Sequence, residues 1–357
     1  MQIIEAALGL LLVALVLWDV FQTIVVPRPT PGRFRLGRYV VRGSWRVVRA
    51  VGRDDVGTRH GQLLGLFAPA MTIMLLVTWL TGLILGYGLI LHALRDELTP
   101  SPEDLGTAVY FAASSVLTLG YGDIVANGTL ARFVVVAAAA TGLGIVALVV
   151  TFLFSLYASY QRREIPVVLL QAKAGGPPSA VVLLENLARM DASARLPEFF
   201  GEWERWAAEV LDSHVAYPIL GYFRSSHDNL SWISALGTVL DTASLVLTTI
   251  EGVPRGHAEL FKSVGSHLVE DITNLGFAES SSDGIDRDAF DAVYQRLEAA
   301  GYRLCPADRA WADFSVARAT YAQRLEAMAG YWAVPSTSWF GHSEPLRSPT
   351  HRRAEGA

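Results

Sequence analysis

TLGYGD, Thr118–Asp123, stands between two apolar stretches, AVYFAASSVL before it and the charge-free FVVVAAAATGLGIVALVVTFLFSLY after it. Two glycines, a tyrosine and a carboxylate between segments built for lipid decide how the chain is read. Irregular backbone at membrane depth is tolerated only where it is buried in protein or lines a water-filled path. TLGYG meets that condition if its carbonyls face a hydrated ion. Gly120 and Gly122, spaced by one residue, reach positive φ without steric cost, which lets successive carbonyls turn to one side. With the Thr118 hydroxyl, the carbonyls of Thr118, Leu119, Gly120 and Tyr121 form a ladder of oxygens able to replace a cation's water shell.

The flanks support this placement. No Asp, Glu, Lys or Arg occurs between Arg59 and Arg95, or between Arg132 and Arg162. Each window exceeds the roughly 20 apolar residues that cross a bilayer, giving spans near Leu66 to Leu91 and Phe133 to Tyr157. Between them, SPEDLGTAVYFAASSVL predicts a helix with Ser101 as its cap, Pro102 at the first helical position and Asp104 completing a capping box. Its length of about 14 residues, or about 21 Å, is too short to cross. A re-entrant element is expected, with its negative C-terminal end directed at an inner cavity.

A third span is expected at the N-terminus, Ile3 to Val26. It has no basic residue ahead of its apolar run and no small-residue cleavage pattern, so it reads as a retained helix rather than a signal peptide. Within it, Asp19, Gln22 and Thr23 share nearly one face. An intramembrane carboxylate either pairs with a cation or faces protein, or it snorkels to the interface.

Charge sets the topology. After the first helix, Arg28, Arg33, Arg35, Arg38, Arg42, Arg46, Arg49, Arg53 and Arg59 are offset only by Asp54 and Asp55. Basic loops stay inside, so the N-terminus is expected outside and the acidic stretch RDELTPSPED faces outward. The third helix then returns inward onto Arg162 and Arg163. About Arg35 to Val51, an amphipathic helix on anionic lipids and a solvated loop are both open. With a whole-chain net charge of −5, the arginines do not point to nucleic acid. Arginines spaced as a voltage sensor requires are absent from all three spans.

With a short helix before it and a span on each side, TLGYGD resembles the filter of the pore-loop potassium channel family, over about Leu66 to Tyr160. The resemblance implies K⁺ coordination by Thr118, Leu119, Gly120, Tyr121 and Gly122, with Asp123 at the outer mouth and four copies of the chain around one axis. K⁺ is then the permeant ion and no cofactor is expected. Leu119 stands where valine or isoleucine is common, and Leu117 where many members carry a second threonine. Ser114 and Ser115 occupy the place of the family's polar brace for the outer aspartate. Tyr121 is expected to pack against the short helix near Tyr110 and Phe111. Gly142 and Gly144, in the cavity-lining helix, read either as a hinge or as close-packing residues.

From Glu164 onward the composition changes to 16 Lys plus Arg against 25 Asp plus Glu, with helical periodicity throughout. The expected organisation is a first span at residues 1–27, a basic loop at 28–62, a pore domain at 63–163, a helical cytoplasmic domain at 164–335 and an irregular tail at 336–357. Overall this is an all-α protein of the cell membrane. SWISALGTVLDTASLVLTTI is expected to be a core helix rather than a fourth span, because Asp241 lies at its middle. No strand followed by GxGxxG marks a nucleotide fold. DSHVAYPILGYFRSSHDNLSW gathers His214, Tyr217, Tyr222, Arg224, His227, Asp228 and Trp232, open as a cytoplasmic ligand pocket, a metal site or helix-junction packing. The single Cys305 supports no disulfide framework, and no nucleophile-base pair suggests catalysis. Besides the channel, two readings remain: a membrane-anchored sensor or scaffold that uses a pore-like module to assemble, and a non-selective cation channel.

Overall fold

A computed structural model describes residues 1–26, 36–51, 58–225, 230–273 and 285–334. It divides into two compact units, Met1–Ala158 and Ser159–Ala357. The division precedes the compositional change at Glu164, and Arg163, expected in the basic flank at the inner end of the third helix, is 1% exposed within the second unit.

The first unit holds α1 (Gln2–Val20), continued by a π turn at Phe21–Val25, then α2 (Leu36–Val51), α3 (Thr58–Ala93), α4 (Leu105–Val116) and the first part of α5 (Thr129–Ala174). Among the described residues, three segments, Gln2–Val25, Leu64–Ala93 and Thr129–Ala174, are long and apolar enough to cross a membrane. The protein is thus an all-α membrane protein with an added helical domain.

α1 runs antiparallel to α3 and lies close against it. A Cβ added at Gly82 would stand 2.7 Å from Val16 Cγ2, and one at Gly86 2.8 Å from Val13 Cγ2. Small residues substitute for a hydrophobic driving force, which lipid cannot supply between helices. Polar contacts fasten both ends. Near one end Glu5 meets His92 at 2.9 Å. Near the other, the buried Asp19 carboxylate accepts from Trp79 Nε1 at 2.8 Å. Asp19 therefore faces protein rather than snorkelling.

The helical alternative for the basic loop is the one observed. α2 buries Val41 and Trp45, with the Trp45 ring edge-on to Phe67 of α3 at 4.9 Å. Residues 27–35 and 52–57 lie outside the described residues.

In the second unit, α6 (Ala180–Arg189), α7 (Leu196–Ala216), α9 (Gly256–Thr273), α11 (Ala307–Ala319) and α12 (Ala322–Tyr331) surround α8 (Trp232–Thr248), while α10 (Arg287–Ala299) packs on α6 and α11. Every residue of α8 from Trp232 to Val246 is buried. It is the core helix expected from the polar residue at its middle. One oxygen of Asp241, Oδ1, is held there by Arg318 Nε at 3.1 Å and the Tyr321 hydroxyl at 2.6 Å. Outside the helices, the described residues of this unit contain one isolated β-bridge, Ile250 to Leu304.

Candidate ion-conduction site

The site is built by α4 and the segment that follows it. α4 begins one turn later than the capping-box reading placed it. The cap is Asp104, not Ser101: its carboxylate accepts from the Thr107 N–H at 2.7 Å. That bond, three residues into the helix, answers an otherwise unpaired donor and holds the Asp104 carboxyl below its ordinary value. The helix has 12 residues, about 18 Å at 1.5 Å per residue.

At its other end, the Thr118 N–H donates to Ser115 O at 3.0 Å and the Leu119 N–H to Ser114 O at 2.8 Å. These two bonds tie the start of TLGYGD to the last turn of α4. Beyond them the backbone alternates. Thr118, Gly120 and Gly122 have φ of 55°, 65° and 79°, and neither Leu119 nor Tyr121 is a positive-φ residue. Alternation of this kind brings successive carbonyls to one side of a strand. For Thr118, a β-branched residue, positive φ is strained by about 1–3 kcal/mol, a cost met most often at functional sites. Among the described residues, no backbone N–H donates to the carbonyls of Thr118, Leu119, Gly120, Tyr121 or Gly122. All residues from Leu117 to Asp123 are exposed in the single chain. Five unanswered carbonyls between two apolar helices require either water or a cation.

The Tyr121 ring lies parallel to Tyr110 of α4, with centroids 6.5 Å apart and planes within 4°. Asp123 has a neighbour that sequence reasoning missed. The Tyr110 hydroxyl stands beside its carboxylate. Ser114 and Ser115, expected to brace Asp123, do not reach it. The Ser115 hydroxyl turns back to Phe111 O at 2.9 Å, and Ser114 is buried. A serine within a helix readily bonds the carbonyl four residues back, whereas the longer tyrosine reaches the end of TLGYGD. The loop then closes through two short strands, β1 (Leu98–Thr99) and β2 (Val125–Ala126), antiparallel with Thr99 opposite Val125. Glu97 Oε2 accepts from the Ala131 N–H at 2.9 Å and so caps the start of α5.

α5 is helical through both of its candidate hinge glycines. Gly142 admits the end of α4: an added Cβ would stand 2.0 Å from Val116 O. Gly144 meets open space.

In the second unit, the segment that gathered polar and aromatic residues is packed as a helix junction. His214 is 4.9 Å from the Trp232 ring, and the Tyr222 and Tyr331 hydroxyls are 2.9 Å apart. Arg163 donates to Leu220 O at 2.9 Å, to Phe223 O at 2.8 Å and to His214 Nε2 at 3.1 Å. Among the described residues no group of three or more His, Cys, Asp or Glu is placed to hold a metal ion. His227 and Asp228 lie outside the described residues.

No solved structure matches the chain. A Bacillus subtilis (strain 168) protein described as uncharacterized membrane protein YdjJ is 28% identical over 204 residues, 56% of this chain and 57% of that one. The chain thus spans little more than half the length of this curated relative. Residues 70–159 match the family model described as an ion channel, a segment that contains most of α3, all of α4, TLGYGD and α5 as far as Ser159. Fold, site geometry and these likenesses together describe a membrane protein whose residues 70–159 are similar to an ion-channel domain.

Proposed function

We propose that the protein is a potassium-selective channel in which four copies of TLGYGD surround one axis and K⁺ passes by exchanging water for carbonyl oxygen. The observation that carries this reading is the alternation of positive φ at Thr118, Gly120 and Gly122 in a segment whose carbonyls have no backbone donor. Its side chains are exposed in one chain, as an axial position shared by four requires. In the proposed assembly, residues 63–163 form the pore domain, Asp123 stands at its outer mouth, and the C-terminal end of α4 places about half a negative charge per chain toward the cavity. Gly142 and Gly144 lie on the helix lining that cavity. The distribution of arginine puts the N-terminus outside the cell membrane, and α2 on the inner leaflet with its arginines at anionic headgroups. The helical domain, on the cytoplasmic side, assembles or gates the pore, and no catalytic role is assigned to it.

Reconstitution into liposomes tests the proposal. K⁺ efflux is expected to exceed Na⁺ efflux by at least about 100-fold, the discrimination a difference of about 2.7 kcal/mol provides. Gly120→Ala should abolish it. Equal K⁺ and Na⁺ flux would leave a cation channel without preference, and no flux under any condition would favour a scaffold that uses the module only to assemble.

A further inference from the structure

The second unit contains a cavity that the conduction site does not use. Between α11 and α12 lies a space of about 300 Å³, lined by Trp311, Phe314, Arg318, Ala322, Gln323 and Glu326 among others. That volume is at the lower limit of small-molecule sites. Its walls are mainly apolar, and its charged groups are of opposite sign.

Arg318 supplies the cation. Its side chain is 9% exposed, and Nε is fixed on Asp241 Oδ1 at 3.1 Å. Its two terminal nitrogens bond no described residue. Asp241 is itself positioned by the Tyr321 hydroxyl, which lies 3.2 Å from Ser244 Oγ. Its second oxygen, Oδ2, is buried without a partner among the described residues. A buried pair of this kind contributes little net stability, since desolvation offsets most of the attraction. What it does provide is a guanidinium held rigidly with donors to spare. Glu326 supplies the opposing charge. It forms no ion pair or hydrogen bond with a described residue, yet it is close enough to act electrostatically on both Arg318 and Asp241.

A simple anion would gain the two unbonded Arg318 nitrogens but meet Glu326, and a simple cation would gain Glu326 but leave those donors unanswered. A molecule carrying both charges is attracted by both. Trp311 and Phe314 then offer an apolar surface to the rest of it, and the volume limits that remainder to a few carbons or one ring.

We propose that this cavity binds a small zwitterion of the size and chemistry of an apolar α-amino acid. Its carboxylate pairs with Arg318, its ammonium with Glu326, and its side chain lies against Trp311 and Phe314. The site resides wholly within the second unit and does not depend on conduction.

The test is calorimetric titration of the full chain in detergent with L-leucine and L-phenylalanine, beside isovalerate and isoamylamine as single-charge controls. At least one amino acid is expected to bind saturably, at least about tenfold more tightly than either control, equivalent to 1.4 kcal/mol. Glu326→Gln should reduce that affinity about tenfold. Because Arg318 is buried in an ion pair, its replacement could unfold the unit, so Ala319→Trp is the second variant. Ala319 lines the cavity from an exposed position, and the indole should remove binding while leaving the melting temperature unchanged. Absence of saturable binding by both amino acids up to about 10 mM, an affinity of roughly −2.7 kcal/mol, would overturn the proposal. So would binding that survives Ala319→Trp, or controls that bind as well as the zwitterions.

Discussion

Lowering the pH from 7.5 to 5 should loosen the helical unit at α7, and His214 sets the magnitude. Its Nδ1 lies 2.9 Å from Val210 O and its Nε2 3.1 Å from Arg163 Nη1. Arg163 has only donors to offer, so Nε2 must accept and Nδ1 carries the proton. Protonating Nε2 would oppose two cationic donors in a buried space. Burial, reinforced by the Arg163 guanidinium, lowers the imidazole pKa from 6.5 to about 3. A histidine whose folded pKa is depressed contributes stability that is fully present above pH 6.5 and is lost as pH falls from there toward 3. At pH 5 the loss is one and a half units, about 2 kcal/mol or roughly 30-fold in the opening equilibrium. Hydrogen exchange of peptides from Leu196–Ala216, corrected for intrinsic rates, reads that equilibrium in the full chain. His214→Gln keeps an acceptor for Arg163 and lacks the titration, so its protection should change less than about threefold. Protection that stays level in the wild type, or falls equally in the glutamine variant, would refute the assignment of the proton and of its cost.

Replacing Asp104 with Ala should destabilise α4 by about 1 kcal/mol, measured as a lower melting temperature of the full chain; Asp104→Asn, which still accepts from Thr107, should recover most of it. Gly86→Leu drives a side chain into Val13 and the Gly9 carbonyl and should expose α1 to protease in detergent. Unchanged digestion would argue against the close packing of α1 on α3. Asp19→Leu leaves the Trp79 indole N–H without its acceptor and should cost about 1–3 kcal/mol in thermal unfolding, whereas Asp19→Asn should cost less than half as much.

The parts of this molecule that are legible in sequence are those carried by composition over many residues. Two charge-free windows and an apolar N-terminus mark three helices long enough to span, an apolar run too short to cross marks α4, and two glycines in TLGYGD mark the left-handed backbone. The fully buried α8 follows from the charge at its centre. Contacts between distant residues are not legible in this way. Asp19 shows that a partner is needed, but nothing near it indicates Trp79, 60 residues on. Ser114 and Ser115 are close to TLGYGD in sequence, yet the reach of tyrosine makes Tyr110 the neighbour of Asp123. Arg163 reads as half of a juxtamembrane basic pair because burial of an arginine depends on carbonyls that Leu220 and Phe223 supply from another turn of chain. Thr118 is the least expected residue, a β-branched side chain at positive φ, where local preference yields to the geometry of the site.

The placement of Arg163 bears on how this chain can be divided. Besides the bonds its guanidinium donates to His214, Leu220, Phe223 and Glu164, its own backbone oxygen accepts from Trp206 Nε1 at 2.9 Å, so α5 contributes a central member to the helical unit before the composition changes. A shortened protein begun at Glu164 would discard the guanidinium that the Leu220 and Phe223 carbonyls and the His214 imidazole rely on. Begun at Ser159 it keeps them all. For grafting this domain onto another protein, the seam is a register within a continuous helix, and fusions need their helical phase preserved rather than a flexible spacer added.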